Sequence, residues 1–303
     1  MLINLLLVAI ALAGFLLGMR LMAGAMRDLA GARMQQVLTL ATDNPWRGCL
    51  VGALVTAILQ SSSATTAMVV AAVEGGLLGL EQALGLIAGA NIGTTVTAQL
   101  AALQLYQLIL PLLGGGLLLF LLPRQRPLSR LLLGLGLLFW GLQGMSESLL
   151  PLVQLDLVDS LLRACSHSVL LGVLFGTLLT AVVQSSSAVT GVVIGLAISD
   201  SIDLSAAMAI ALGSNIGTCV TALLAAWGGG QRARQAAYGH LWFNVIGVLA
   251  VLPVYDGFLQ LVTASAPDLP LRLANGHMIF NVLSALVFLL LLPLLRRSVL
   301  IRV

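Results

Sequence analysis

The chain has 303 residues, 59% of them hydrophobic and 8% charged, with a formal net charge of +3 and a mean hydropathy of +1.08. A soluble domain carries about 25% charged residues, so this composition excludes a water-coated globule and makes the bilayer the solvent for most of the chain. All 14 basic residues are arginine against 11 acidic residues; in so apolar a chain that surplus predicts cytoplasmic loops, not a nucleic-acid surface.

The run 2–26 lacks a basic segment before it and is longer than a secretory core, so it predicts a retained spanning helix and not a signal peptide. Further runs of about 20 apolar residues, the length that crosses hydrocarbon, fall at 105–122, 128–150, 237–255 and 278–295. Pro123-Arg124-Gln125-Arg126-Pro127 predicts a surface turn between two of them, and Gly228-Gly229-Gly230 predicts another. Cys49, Cys165 and Cys219 lie far apart and fit neither a transition-metal spacing nor a disulfide framework.

Two interrupted apolar regions, 46–103 and 170–227, are copies of each other at an offset of 124 residues. Gln60-Ser61-Ser62-Ser63-Ala64 falls on Gln184-Ser185-Ser186-Ser187-Ala188, and Asn91-Ile92-Gly93-Thr94 on Asn215-Ile216-Gly217-Thr218. Compositional bias does not produce two polar tetrads at one separation, so the chain contains an internal repeat. The segments flanking the first Gln-Ser-Ser-Ser, 47–59 and 64–74, are roughly 16–20 Å long as helices. Both are too short to span. They predict a re-entrant hairpin with the polar residues at its tip, where unwound backbone is tolerated only beside protein or a water-filled cavity. Gly89 and Gly93 around Asn91 predict a break in the helix that carries them.

Counting crossings makes the two repeats inverted. The fold expected is an all-α polytopic membrane protein of two inverted repeats, each with a re-entrant helical hairpin and a broken transmembrane helix, plus one extra C-terminal helix. The units run 1–122 (hairpin about 47–74) and 123–256 (hairpin about 170–199), followed by an outer loop and last helix at 257–303. The same count puts eleven arginines, among them Arg27, Arg33, Arg124, Arg126, Arg296, Arg297 and Arg302, on one face and only Arg163 and Arg272 on the other. Arg20 reaches the richer face by snorkelling. That face is then the cytoplasm, with the N-terminus outside and the C-terminus inside a plasma membrane.

Polar side chains at membrane depth need partners or ligands. Two inverted tips would bring their Gln and Ser side chains, and the N-termini of the half-helices that follow, to one centre. That makes an anion cradle without Arg or Lys. Gln, Asn and Thr oxygens suit a hard cation such as Na+. An enzyme would need one activated serine with a base in reach; matched serine triplets with histidines on other helices predict no enzyme. A channel or scaffold shares the helix count, but an inverted repeat with polar interruptions favours alternating access.

The paired Gln-Ser-Ser-Ser and Gly-x-Asn-Ile-Gly-Thr motifs resemble the sodium/phosphate cotransporter family. His240-Leu241-Trp242-Phe243-Asn244 and His277-Met278-Ile279-Phe280-Asn281 are similar to its His-x-x-Phe-Asn elements. The resemblance implies a Na+-driven symporter of inorganic phosphate, with no cofactor besides the coupling ion; another oxyanion, sulfate or a carboxylate, and H+ in place of Na+ are the rivals. It implies that Gln60, Gln184 and the serines beside them line the transport site and that Asn91, Thr94, Asn215 and Thr218 help hold ions; within that set we expect Ser61, Ser62, Ser63, Ser185, Ser186 and Ser187 to hold phosphate, and Gln60, Asn91, Thr94, Gln184, Asn215 and Thr218 to hold sodium. The chain stops at Val303, where many bacterial relatives continue into a cytoplasmic domain, so it resembles a relative without one. Structural roles are expected for His240 and His277 at the starts of spanning helices, and surface positions for Glu74 and Glu81.

Overall fold

The structure is a computed structural model that describes residues 2–30 and 44–295. Arg33, Arg296, Arg297, Arg302 and most of the stretch leading to the first hairpin lie outside the described residues. Every regular element among the described residues is helical. The first unit contains α1 (Leu2–Ala30), α2 (Pro45–Leu59), α3 (Ser62–Glu74), α4 (Leu80–Ala102) and α5 (Ile109–Phe120). The second contains α6 (Arg126–Val153), α7 (Asp156–His167), α8 (Val169–Val183), α9 (Ser186–Ile198), α10 (Leu204–Ala225) and α11 (Gln231–Val251). Two more follow, α12 (Tyr255–Ala264) and α13 (Leu269–Leu295); α12 occupies the segment read as an outer loop.

Among the described residues, five stretches are long and apolar enough to cross a membrane: Leu2–Leu29, Pro123–Val153, Leu204–Ala225, Gln231–Ala264 and Leu269–Pro293. They carry apolar side chains outward. On α8, Leu170, Leu174, Leu178 and Val182 are all more than half exposed, one turn apart on a single face. Such a stripe is what a lipid-facing surface presents, and with five candidate spans it agrees with a bilayer as the solvent. The protein is a multi-pass membrane protein.

Each expected hairpin segment is a pair of helices interrupted at Gln-Ser, α2 with α3 and α8 with α9. The expected break at Asn91 does not form: α4 runs unbroken through it, and α10 runs unbroken through Asn215. The glycines there serve packing. A Cβ on Gly89 would lie 1.8 Å from the Cys49 carbonyl oxygen, and one on Gly93 would lie 2.4 Å from that of Ala53. In the second unit Gly213 meets Val173 at 2.0 Å and Gly217 meets Thr177 at 2.4 Å. Each pair is forty residues apart, so α2 packs parallel to α4 and α8 to α10 with the same register. Backbones can come this close only where no side chain intervenes.

The chain bends elsewhere. The expected span 105–122 is a 3-10 turn followed by the 12-residue α5, set at 83° to α4. The turn at Pro123 is a short 3-10 element. Pro127 then sits in the first turn of α6, where its missing N–H would be unpaired in any case.

The first helices of the two units pack against each other. Gly18 on α1 faces Gly134 and Leu138 on α6, while Gly141 faces Phe15 and Ala11. Numbers rise on one helix as they fall on the other, so the pair is antiparallel. Asp28 near the end of α1 pairs with Arg130 near the start of α6.

Candidate functional site

Each hairpin tip is made by one glutamine and one serine. Gln60 ends α2 in the left-handed region at φ 54°, and Gln184 ends α8 at φ 56°. That conformation is uncommon for a residue with a side chain, and it turns the chain out of the helix in one step. Each glutamine N–H still donates to the threonine carbonyl four residues back, at 2.7 Å. The next serine is extended and caps the half-helix that follows. Ser61 Oγ accepts from the Ala64 N–H and Ser185 Oγ from the Ala188 N–H, both at 3.2 Å.

This divides the serines by role. Ser61 and Ser185 are helix caps. Ser62, Ser63, Ser186 and Ser187 have hydroxyls with no hydrogen-bond partner among the described residues, yet all four line one cavity of about 780 Å³. We expect Ser61→Ala and Ser185→Ala each to lower stability by about 1 kcal/mol, the usual value of a serine cap. Thermal unfolding of the purified protein in detergent would show it as a lower midpoint.

Residues 60–64 and 183–187 form one part of the cavity wall. Leu16, Met19, Arg20, Ala23 and Arg27 of α1 form another. Beyond the tips Phe15, Ala98, Ala101, Gly191 and Ile194 pack with Ser187 and leave no water-sized void. The cavity therefore runs from the tips toward the C-terminal end of α1 and is closed in the other direction. Among the described residues no acidic side chain lines it.

The tips hold no fixed charge, but Arg20 and Arg27 share their cavity. Sequence spacing places these arginines on one face of α1, seven residues apart; it does not show that this face meets the tips, because the packing of α1 on α6 decides that.

The predicted ion ligands separate into two groups. Gln60 and Gln184 lie in the cavity wall but differ. Gln60 is buried; its Nε2 donates to the Ala57 carbonyl and its Oε1 accepts from Thr97 Oγ1 at 2.6 Å. Gln184 is exposed. Asn91, Thr94, Asn215 and Thr218 lie outside the lining of this cavity. Asn91 Nδ2 donates to Asn244 Oδ1 at 2.6 Å, and Asn215 Nδ2 to Asn281 Oδ1 at 3.4 Å. Thr94 and Thr218 donate to carbonyls one turn back, Ala90 at 3.0 Å and Ser214 at 2.9 Å.

His240 and His277 are buried well inside α11 and α13, not at helix starts, because both helices begin a further two turns upstream. His277 Nε2 lies 3.0 Å from Asn215 Oδ1. Glu74 is no free surface charge either. It accepts from the Gly230 N–H at 2.8 Å and the Ala233 N–H at 3.1 Å, so the first hairpin caps α11 with an anion where the helix dipole favours one.

With hydroxyls, half-helix N-termini and two guanidinium groups around one water-accessible space, the arrangement suits an oxyanion. A family model described as Na+/Pi-cotransporter matches the chain twice, over residues 15–147 and 145–264. The chain belongs to the Na+/Pi-cotransporter family. It is 38% identical over 288 residues to the uncharacterized protein YqeW of Bacillus subtilis, covering 94% of each chain. It is 30% identical over 273 residues to YjbB of Escherichia coli K12, whose name proposes inorganic phosphate export; the match covers 88% of this chain and 49% of that protein. This member of the Na+/Pi-cotransporter family thus spans about half the length of the phosphate-export relatives. A 61-residue stretch, 20% of the chain, is 49% identical to sodium-dependent phosphate transport protein 2A of Ovis aries and covers 10% of it. No solved structure matches the chain.

Proposed function

We propose that the protein is a Na+-coupled symporter of inorganic phosphate that works by alternating access between two inverted units, 1–122 and 123–256, with 257–303 added after them. It does no covalent chemistry in this reading. The observation that carries it is the pair of hairpin tips with equal backbone geometry, each presenting two unengaged serine hydroxyls and a half-helix N-terminus to one cavity open in a single direction. The serines at 61–63 and 185–187 hold phosphate, with Ser62, Ser63, Ser186 and Ser187 donating and Ser61 and Ser185 fixing the tips. Gln60, Gln184 and the asparagine–threonine pairs behind the tips hold Na+. Each ion then lowers the electrostatic cost of burying the other.

In this reading the arginine-rich face is cytoplasmic, so the cavity opens inward and the N-terminus is outside. Transport by such a cycle is reversible, and the gradients set its direction. The name of the E. coli relative favours a second reading, phosphate export; we take its simplest form, efflux that needs no Na+, as the contrast to test.

Radiolabelled phosphate uptake into proteoliposomes, with an inward Na+ gradient against an equal K+ gradient and unlabelled sulfate as competitor, tests the proposal. Uptake that needs Na+ and ignores sulfate is expected. Equal uptake in Na+ and K+ would remove Na+ coupling. Vesicles loaded with phosphate separate the second reading, because Na+-independent efflux would support it.

A further inference from the structure

We propose that His277 is a positioning residue for the coupling ion: its ring holds the side-chain amide of Asn215 in one of its two orientations, so that α13, which follows both repeat units, completes the ion site of the second. The proposal rests on the reading that Asn215 is a Na+ ligand.

The amides between α10 and α13 can point only one way. Asn281 Nδ2 lies 2.8 Å from the His277 carbonyl oxygen. A carbonyl only accepts, so the nitrogen of Asn281 must stand there, and its Oδ1 is left for the neighbouring helix. Asn215 Nδ2 donates to that oxygen at 3.4 Å. Asn215 Oδ1 then lies 3.0 Å from His277 Nε2, which makes Nε2 the ring nitrogen that carries the proton. One turn of α13 thus grips both ends of a single amide on α10.

The first unit repeats this arrangement but lacks its last bond. Asn91 Nδ2 donates to Asn244 Oδ1 at 2.6 Å, and Asn244 Nδ2 donates to the His240 carbonyl at 3.0 Å. Neither ring nitrogen of His240 has a partner among the described residues. Two buried imidazoles in matching sequence elements therefore differ in whether the ring holds an asparagine. His277 also lines the closed space behind the second tip, together with Thr94, Thr97, Ser187 and Thr190. Ser187 lines the open cavity as well, so His277 stands between the asparagine it holds and the tip.

A cation is bound by the oxygen of an amide and repelled by its N–H groups. Turning the Asn215 amide over would set its N–H against the Nε2–H of His277, and two opposed donors in a shielded site are costly. Without the ring that penalty is gone, and the amide spends part of its time with the wrong end toward the ion. The oxygen has two lone pairs, so it can accept from His277 and still face a cation.

The test is the Na+ concentration that gives half-maximal phosphate uptake into proteoliposomes. His277→Leu keeps most of the side-chain volume and removes the donor. It should raise that concentration on the order of tenfold, the effect of one lost hydrogen bond, and leave the maximal rate at saturating Na+ little changed. His277→Gln should restore most of the affinity, because a glutamine amide nitrogen reaches the place of Nε2. His240→Leu should stay near the wild-type value, since that ring holds no amide; purely structural roles would move the two leucine variants alike. An equal rise in both overturns the proposal. So does an unchanged value in His277→Leu, or a glutamine variant as impaired as the leucine one. Should His277→Leu not fold, His277→Asn takes its place. Its shorter amide falls short of Asn215, so a value above that of His277→Gln supports the proposal and an equal one overturns it. Wild-type uptake that ignores Na+ overturns the symporter reading and the proposal with it, and is seen before any variant is made.

Discussion

Gly89→Val and Gly213→Val are expected to yield no folded protein. At both positions the clash is with backbone. The first Cβ would stand 1.8 Å from the Cys49 carbonyl oxygen and the second 2.0 Å from that of Val173. A flexible side chain could swing away from an intruding carbon, but a carbonyl inside a helix cannot. Relief needs α2 to move off α4, or α8 off α10, along the whole contact. Gly93 and Gly217 hold the same seams one turn on, so the shift spreads to the tips. Overpacking of this kind costs about 3 kcal/mol or more, and in lipid no hydrophobic drive draws the helices back together. The yield of monodisperse protein in detergent, followed by its melting point, is the measurement. Gly24→Ala is the control, because a Cβ there meets nothing within 4 Å. Wild-type yield and melting for Gly213→Val would show that the seams are looser than described.

These glycines also mark where sequence reading succeeded and where it stopped. Composition and the 124-residue offset were enough to show a membrane protein with a repeat. The hairpins were legible because Gln-Ser-Ser-Ser interrupts two apolar segments that are each too short to span. Gly-x-Asn-Ile-Gly was misread as a break. Glycine signals either a bend or a close approach, and the partner helix that decides between them lies forty residues away. The bend after Ala102 had no such marker, since Leu103, Gln104 and Leu105 resemble ordinary helix; the left-handed Gln104 at φ 49° turns the chain there.

The site was legible to a similar degree. Both tips meet at one cavity, as their repetition suggested. The hydroxyls that are already spent could not be read from a serine triplet, because each triplet begins with its own cap and only the helix start reveals which serine that is. The place of Arg20 depends on the antiparallel contact of α1 with α6. The two halves also differ where single residues differ. Thr56 Oγ1 donates to Thr65 Oγ1 at 2.9 Å, whereas Val189 stands at the second position and leaves Thr180 Oγ1 without a partner. The first tip is further tied to α4 by Thr97 and Gln60, a bond absent from the second tip, whose Gln184 faces the cavity. The second tip is therefore the less constrained of the two.

That asymmetry bears on the other large effect, which is expected at Ser62 and Ser186. Each is the first residue of its half-helix, is 6% and 5% exposed respectively, and lines the cavity. Neither hydroxyl has a hydrogen-bond partner among the described residues. Removing it leaves the capping bonds of Ser61 and Ser185 intact, so Ser62→Ala and Ser186→Ala should melt where the wild type does. An oxyanion at the tips would lose a donor from a shielded site. A hydrogen bond to a charged group contributes about 1.5–3 kcal/mol, which is roughly ten- to 150-fold in affinity. Phosphate uptake at limiting phosphate should fall by about that factor. The cap variants invert the pattern, with a lower melting point and a smaller loss of uptake. Wild-type uptake by Ser186→Ala would remove the second tip from the transport site. A melting point that falls as far as that of Ser185→Ala would instead make the hydroxyl structural. Full loss of uptake at unchanged stability is the outcome that only a ligand-contacting serine gives, and because Gln184 leaves the second tip freer to close on a ligand, Ser186→Ala should show the larger loss of the two.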